Sequence, residues 1–141
     1  MRVINSPAEL KQYAADQKKA GKTIGLVPTM GYLHRGHQSL IEKSSSQNDV
    51  TIVSVFVNPT QFGPGEDLAT YPRDLKRDMK AAEEAGADLI FHPRPEDMYP
   101  EGYGTYVSLD NDMTKVLCGK SRPTHFRGVT TVVCKLCNIS L

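Results

Sequence analysis

Two histidines, separated by two residues, stand between an apolar run and a helical stretch. Together with the residues before them they form the segment Pro28-Thr29-Met30-Gly31-Tyr32-Leu33-His34-Arg35-Gly36-His37. The run Ile24–Pro28 predicts a strand and Gly36–Gln47 a helix, so the free N–H groups of the first helical turn point at whatever binds in the loop. Two imidazoles on one face of that turn can each donate a hydrogen bond to a phosphate oxygen, and Gly36 allows close approach. The pattern predicts a nucleotide triphosphate held by His34 and His37 for attack at phosphorus.

Other interpretations of this histidine pair remain open. A histidine near a helix start is often only a cap or a surface residue. A His-x-x-His pair can also bind zinc, but no third and fourth ligand follow at metal spacing, so no metal ligand is predicted. The strand–loop–helix setting favours the phosphate site.

A second polar loop follows the next buried strand. It reads Phe56-Val57-Asn58-Pro59-Thr60-Gln61-Phe62-Gly63-Pro64-Gly65. The carboxamides of Asn58 and Gln61 each offer a donor and an acceptor, which suits a substrate bearing hydroxyls and a carboxylate. Phe56 and Phe62 can supply an apolar wall, and Gly63–Gly65 a mobile cover. The alternative is a simple Asn-Pro turn with a polar rim.

Strand and helix patterns alternate along the chain. Ser6-Pro7-Ala8-Glu9 predicts a helix start with a capping box, and Gly21 predicts the end of that helix. Beyond the histidine loop and its helix, the chain predicts a fully buried strand at Val50–Val57, a helix at Pro72–Ala85 and a strand at Ala87–Phe91. This alternation predicts an α/β fold with a parallel sheet, in which ligands bind beyond the carboxyl ends of the strands. The loops Pro28–Gly36 and Asn58–Tyr71 leave those ends.

The first three predicted helices each have an apolar face. The residues of these faces are Leu10, Tyr13 and Ala14 in the first helix, Leu40 and Ile41 in the second, and Leu75, Met79 and Ala82 in the third. The proline- and glycine-rich stretch His92–Arg122 predicts loops with short strands, one of them at Thr105–Leu109. The last segment is β-branched, but its apolar residues recur at helical spacing and therefore predict a helix over Val129–Ile139.

Composition excludes several classes of protein. The chain of 141 residues has a formal net charge of +1, which argues against a nucleic-acid binder. It has no apolar run long enough for a membrane span and no leader-like start, which favours a cytoplasmic location without membrane contact. Three cysteines, an odd number, do not make a disulfide framework, so reduced thiols are expected.

The cysteines and a basic cluster each allow more than one interpretation. Cys134 and Cys137 form a C-x-x-C motif, whose alternatives are redox or metal chemistry and two small apolar helix residues; without a second pair the latter is favoured. Cys118 is interpreted as an ordinary loop thiol. The cluster is either a solvated face or an aid to an anionic substrate; its members are Lys115, Lys120, Arg122 and Arg127.

Several motifs occur together and in order. The segments Val27–His37 and Phe56–Phe62 are followed by Glu66-Asp-Leu-Ala-Thr-Tyr-Pro-Arg73, Met98-Tyr-Pro100 and Ser121-Arg-Pro-Thr-His-Phe-Arg-Gly-Val129. This series resembles the pantothenate synthetase (pantoate–β-alanine ligase) family of the His-x-Gly-His nucleotidyltransferase superfamily. The resemblance runs over almost the whole chain and implies a Rossmann-like nucleotide- and pantoate-binding domain.

The resemblance also implies a reaction in two steps. Pantoate attacks the α-phosphorus of ATP, with Mg²⁺, to give pantoyl adenylate and pyrophosphate; β-alanine then attacks the adenylate to give pantothenate and AMP. It implies that His34 and His37 are catalytic and that the segment Pro28–His37 binds ATP. The pantoate and β-alanine residues that it implies are Gln61, Asn58, Phe56, His125, Val132 and Val133.

One departure from the family pattern is large. Family members are about twice as long and carry a later Lys-Asp-x-x-Gln segment and a Ser-Ser-Arg-Asn loop, neither of which occurs here. The expectation is therefore one truncated domain, residues 1–141, with little or no ligase turnover by itself. A homodimer is expected from the family. The alternatives are a short His-x-Gly-His nucleotidyltransferase and a non-catalytic fragment that associates through an unpaired sheet edge.

Overall fold

A parallel sheet with helices on both faces organises the chain. The structure is a computed structural model that describes residues 1–141. The strands are Arg2–Ile4 (β1), Ile24–Thr29 (β2), Val50–Val55 (β3) and Leu89–Phe91 (β4). The helices are Pro7–Lys19 (α1), Arg35–Gln47 (α2), Leu75–Glu84 (α3), Pro95–Met98 (α4), Cys118–Ser121 (α5) and His125–Ser140 (α6), with 3₁₀ helices at Pro59–Gln61 and Asp112–Lys115.

All strand pairs in the sheet are parallel, in the order β1-β4-β3-β2. β3 is buried along its whole length, as a strand covered on both faces must be. The predicted Rossmann-like α/β fold is confirmed. None of the helices combines the length and the apolar character that crossing a membrane requires.

The core lies on the two faces of this sheet. One face packs against α1 and α6; its buried residues include Ile4, Leu10, Ile52, Phe56, Phe91, Val132 and Leu136. The other packs against α2 and α3; its buried residues include Val27, Leu33, Ile41, Val53, Ala82 and Ile90. Because successive β3 side chains alternate between these faces, the central strand ties both cores together.

The structure corrects several boundaries. The sequence patterns do not predict β1, because three residues carry too little pattern; it pairs with β4 across much of the sequence. The helix predicted at Pro72–Ala85 begins only at Leu75, because the side chain of Asp74 caps it by accepting the N–H of Arg77. In the predicted box at α1, Ser6 caps Glu9 N–H, but the Glu9 carboxylate instead accepts from Arg2.

Two predictions fail for tertiary reasons. The strand predicted at Thr105–Leu109 does not form, and this segment pairs with no strand of the sheet. Instead the N–H of Val107 donates to Thr131 and its carbonyl accepts from Thr130. Side chains of α6 therefore provide the hydrogen bonds of the Val107 backbone. The helical pattern predicts an inward-facing Leu40, but this residue is 57% exposed, whereas its neighbour Ile41 is fully buried.

These neighbours give a matched test of the core. Ile41→Ala should lower the free energy of unfolding by about 2–5 kcal/mol, because it removes buried methyl groups and leaves a cavity. Leu40→Ala, one residue away on the same helix, should change it by less than about 0.5 kcal/mol. Urea denaturation of both variants measures the difference, and equal losses would contradict the placement of α2.

Candidate functional site

The two polar loops leave adjacent strands at the same edge of the sheet. Strands β2 and β3 are parallel and in register, with Thr29 opposite Val55. The chain after Thr29 and the chain after Val55 therefore start side by side, as the sequence predicts. Residues of both loops can thus face the same ligand.

The first loop turns sharply immediately after β2. Gly31 and Tyr32 both have positive φ angles, +81° and +53°. The hydroxyl of Thr29 donates to the carbonyl of Ser54 at 2.7 Å and accepts the N–H of Gly31 at 3.1 Å. Thr29 thus joins the turn to the neighbouring strand.

A buried carboxylate holds the next two residues of the loop. Asp78 is 1% exposed, and its two oxygens accept the N–H groups of Tyr32 at 2.9 Å and Leu33 at 2.7 Å. Sequence reasoning missed this residue. A signal was present, since Asp78 lies three residues after Leu75 and four before Ala82, in the apolar stripe of α3.

The two histidines cap the start of α2 reciprocally. Nδ1 of His34 accepts the N–H of Gly36 at 3.1 Å, and Nδ1 of His37 accepts the N–H of His34 at 3.3 Å. The ring centroids are 4.0 Å apart. Because a backbone N–H can only donate, each Nδ1 is an acceptor and the proton of the neutral ring sits on Nε2. Both Nε2–H groups are without a partner in the chain and can donate to a ligand.

Burial and charge favour the neutral form of one of these rings. The pKa of His37 is lowered, first because burial penalises the imidazolium and second because His34 is close. The carboxylate of Asp78 acts in the opposite direction, since it favours the imidazolium. A neutral His37 that donates from Nε2 therefore predominates near neutral pH.

Gly36 makes room for a neighbouring side chain. A Cβ at this position would lie 2.9 Å from Cε1 and 3.0 Å from Nδ1 of His34. The glycine therefore makes room for the folded-back His34 ring over the helix start. Without that room the ring could not cap the N–H of Gly36.

The other residues of the histidine segment differ in how accessible their side chains are to a ligand. Met30 is half-buried and lines a cavity of about 690 Å³ at the same edge of the sheet. Pro28 and Tyr32 are exposed, while Leu33 is buried in the core. The guanidinium of Arg35 is bound by Glu42 at 2.5 Å. Leu33 and Arg35 therefore leave mainly their backbone to a ligand.

In the second loop the two carboxamides have separate positions. Asn58 is 1% exposed; it donates to Oε1 of Gln61 at 3.0 Å and to the carbonyl of Gly128 at 3.1 Å, and it accepts from Thr60. The Asn58 side chain is therefore engaged within the chain, where it ties the loop to α6. Nε2 of Gln61 has no partner and can donate to a ligand.

Helix α6 and the segment before it support this loop. The carbonyl of Gln61 accepts from Nη2 of Arg122 at 2.9 Å and from Nδ1 of His125 at 3.2 Å. Arg122 also binds the carboxylate of Glu66 through two hydrogen bonds, of 2.7 and 2.8 Å. These bonds lower the pKa of Glu66 to about 2. This ion pair, which sequence reasoning did not find, engages Arg122 within the protein.

The remaining predicted pocket residues are not equally accessible. Phe56 is buried and stacks on Tyr99, with ring centroids 6.3 Å apart. Val132 is buried in the core, whereas Val133 is 37% exposed. His125 retains a free Nε2, because its Nδ1 is bound to the Gln61 carbonyl.

The three cysteines and Arg127 show no ligand-binding arrangement of their own. Cys118 and Cys134 are exposed and Cys137 is half-buried, and all three are free thiols. Arg127 stacks over the ring of Tyr106, 4.4 Å from its centroid. No group of three or more His, Cys, Asp or Glu side chains that could hold a metal ion comes together.

Known proteins are similar to this chain in sequence. The sequence profile described as Pantoate-beta-alanine ligase matches residues 2–141. A curated pantothenate synthetase from Geobacter sulfurreducens is 60% identical over 139 residues, 99% of this chain and 49% of the relative. A pantothenate synthetase from Acetivibrio thermocellus is also 60% identical with the same coverage. The chain thus spans about half the length of the curated relatives it matches.

Solved structures agree with the sequence comparison. Pantothenate synthetase from Thermus thermophilus superposes with a TM-score of 0.90 at 47% identity, covering 99% of this chain and 49% of that one. Pantoate-beta-alanine ligase from Francisella tularensis, complexed with beta-gamma ATP and beta-alanine, superposes at 0.87 with 42% identity, covering 99% and 53%. With a profile match over residues 2–141 and such close relatives, this chain belongs to the pantoate–β-alanine ligase family.

Proposed function

We propose that residues 1–141 form the Rossmann-like domain that binds ATP and pantoate in a pantoate–β-alanine ligase. The observation that carries this proposal is the reciprocal cap of His34 and His37. It presents two free Nε2–H donors at the start of a 13-residue helix, beside a loop where Gln61 has a free amide. Such a helix start favours phosphate, and the amide favours a carboxylate or hydroxyl.

In the proposed first step, a carboxylate oxygen of pantoate attacks the α-phosphorus of ATP. The new bond is C(O)O–P, the bond to the β-phosphate oxygen breaks, and pyrophosphate leaves. In the second step the amine of β-alanine attacks the acyl carbon, its proton is lost, and AMP leaves to give pantothenate. No enzyme nucleophile is required, so positioning and charge stabilisation carry the catalysis.

The proposed roles follow the geometry of the two loops. His34 and His37 donate from Nε2 to ATP phosphate oxygens as charge builds up on them. The ATP-contacting stretch is Pro28, Thr29, Met30, Gly31, Tyr32, Leu33, His34, Arg35, Gly36 and His37. Gln61 donates to pantoate near the point where β-alanine arrives, and the rest of this pocket is formed by Asn58, Phe56, His125, Val132 and Val133. Asn58 acts here by holding Gln61 rather than by a free amide.

The Mg²⁺ that the family implies is proposed to enter with the nucleotide. The chain brings together no cage of acidic side chains. Mg²⁺ commonly binds through substrate phosphates with few protein ligands.

Residues 1–141 correspond to about half the length of the relatives that they match. Stabilisation that depends on several cooperating groups falls steeply when some are missing. We therefore expect substrate binding, and little or no ligase turnover, from residues 1–141 alone.

His37→Ala tests the phosphate role. Loss of one preorganised donor should weaken Mg·ATP binding to the chain about tenfold or more. In a full-length ligase containing this sequence, it should lower turnover about a hundredfold. Calorimetry gives the affinity, and pyrophosphate release gives the turnover.

The matched control is Lys43→Ala, two turns further along the same helix. Its ammonium group is exposed and forms no ion pair, so both readouts should change less than about threefold. A His37→Ala variant with wild-type affinity and turnover would refute the role of His37. A wild-type chain without measurable Mg·ATP affinity would refute ATP binding by residues 1–141.

Gly36→Ala tests the room for the His34 ring. The added methyl group would meet that ring at 2.9–3.0 Å, so the ring must leave the N–H of Gly36. Mg·ATP affinity should fall about tenfold, although alanine is the better helix former. Ser46→Ala, near the other end of α2, should leave affinity unchanged. An unchanged affinity for Gly36→Ala would show that the cap is not needed.

A homodimer is also proposed, and an exposed apolar segment supports it. Met113 is 78% and Leu117 is 86% exposed, in a segment that also exposes Leu109 and Val116, and exposed apolar patches mark interaction sites. Leu117→Glu should weaken association about tenfold or more in sedimentation experiments, whereas Leu40→Glu on another face should not. A wild-type chain that stays monomeric at all concentrations would contradict the proposal.

A further inference from the structure

The buried carboxylate of Asp78 requires an explanation. No lysine, arginine or histidine forms an ion pair with it. Its only hydrogen-bond partners are the backbone N–H groups of Tyr32 and Leu33. Burying a carboxylate is costly, and an apolar side chain at this position in the stripe of α3 would avoid that cost. The carboxylate binds only this loop, so its benefit to the protein must come from holding the loop in place.

We propose that Asp78 is the positioning residue of the phosphate-binding loop: its carboxylate fixes the turn at Gly31–Leu33, so that His34 and His37 hold their Nε2 donors ready for the nucleotide. This inference rests on the proposed function and deepens it. Asp78 acts through the loop and does not touch the substrates.

Three consecutive backbone donors carry the argument. The N–H groups of residues 32 and 33 donate to Asp78, and the next one, of His34, donates to Nδ1 of His37. Each peptide group is planar, so once two of them are fixed only the φ and ψ angles of Leu33, whose side chain is buried, set the direction of the third. The orientation of the His37 ring is thus linked, through one stretch of backbone, to a carboxylate on another helix.

The packing around the turn leaves little freedom. A Cβ at Gly31 would lie 2.9 Å from Oδ2 of Asp78 and 3.0 Å from Cγ1 of Val55. The backbone of the turn is therefore in direct contact with both the carboxylate and the central strand. A loop packed this closely follows the position of Asp78.

Charge provides the readout that separates positioning from mere stability. Two neighbouring groups influence the pKa of His37 by their charge: the ring of His34 and the carboxylate of Asp78 on α3. Arg77 of α3 lies over the ring of Tyr32, 4.3 Å from its centroid, and Arg35 of α2 is paired with Glu42. Strands β2 and β3 contribute no charged residue. Since Asp78 favours the imidazolium, removing its charge should lower the pKa of His37 further.

The test compares Asp78→Asn with Asp74→Asn in the chain of 141 residues. Both variants remove one negative charge from the same segment. The carboxamide introduced at position 78 can accept only one of the two loop N–H groups and turns a donor towards the other. The carboxamide introduced at position 74 remains a good N-cap, and the Asp74 side chain makes no hydrogen bond to the loop. An NMR titration gives the pKa of each imidazole, and calorimetry gives the affinity for Mg·ATP.

For Asp78→Asn we expect a lower His37 pKa and an Mg·ATP affinity reduced about tenfold or more. Asp74→Asn should leave both unchanged. A folded Asp78→Asn variant that is less stable but keeps the wild-type His37 pKa and affinity would overturn the proposal. If the wild type itself binds no Mg·ATP, the proposed function of the chain fails, whereas exchange of the Tyr32 and Leu33 amides still decides whether Asp78 holds the loop.

Hydrogen exchange in the wild type makes the proposal testable even if Asp78→Asn does not fold. Because they donate to a buried acceptor, the amides of Tyr32 and Leu33 should exchange far more slowly than the amide of Gly65, an exposed loop position whose N–H has no partner in the chain. Exchange of all three at similar rates would overturn the proposal.

Discussion

The parallel pairing of β2 with β3 is the interaction on which the site depends. Six consecutive residue pairs, from Ile24 opposite Val50 to Thr29 opposite Val55, end the two strands at the same level. The histidine loop and the Asn58–Gln61 loop therefore emerge together. Because β3 is buried on both faces, its register cannot slip by one residue without moving a set of apolar side chains out of the core. Core packing thus fixes the separation between the two loops before any polar contact is made.

In the two loops beyond this edge, most polar side chains form hydrogen bonds within the chain. The few that have no partner mark the candidate site. Asn58, Arg122 and Glu66 form their hydrogen bonds within the chain itself. Asp78 does the same for the first loop. The free groups are the Nε2 atoms of the histidines and the amide of Gln61. A preorganised site is expected to have this form, with engaged residues behind and unengaged donors in front.

The sequence predicted the parts of this structure that are local. Alternating patterns predicted β2, β3, α1 and α6, and the position of the two loops followed from the rule for parallel sheets. What it missed depends on distant partners. Strand β1 needs β4, and the coil at Thr105–Leu109 is held by α6. The ion pair of Glu66 with Arg122 spans 56 positions. Asp78 was visible as a charge in an apolar stripe, but only the fold shows which amides it binds.

The charges near the loops separate two contributions to ligand binding: orientation of the ligand and neutralisation of its charge. The donors facing the proposed ATP and pantoate sites are two imidazoles, one amide and a helix start, and none of them is a lysine or an arginine. Arg35 and Arg122 are paired with carboxylates, and Asp78 adds a negative charge behind the loop. These donors orient phosphate and carboxylate oxygens well, but they do not offset the charge of a triphosphate meeting a carboxylate. Under the proposed function, the Mg²⁺ that enters with the nucleotide would balance part of that charge. Orientation by this domain and neutralisation from outside it are separate contributions, which is why binding by the chain and turnover by a complete ligase are expected to differ so widely.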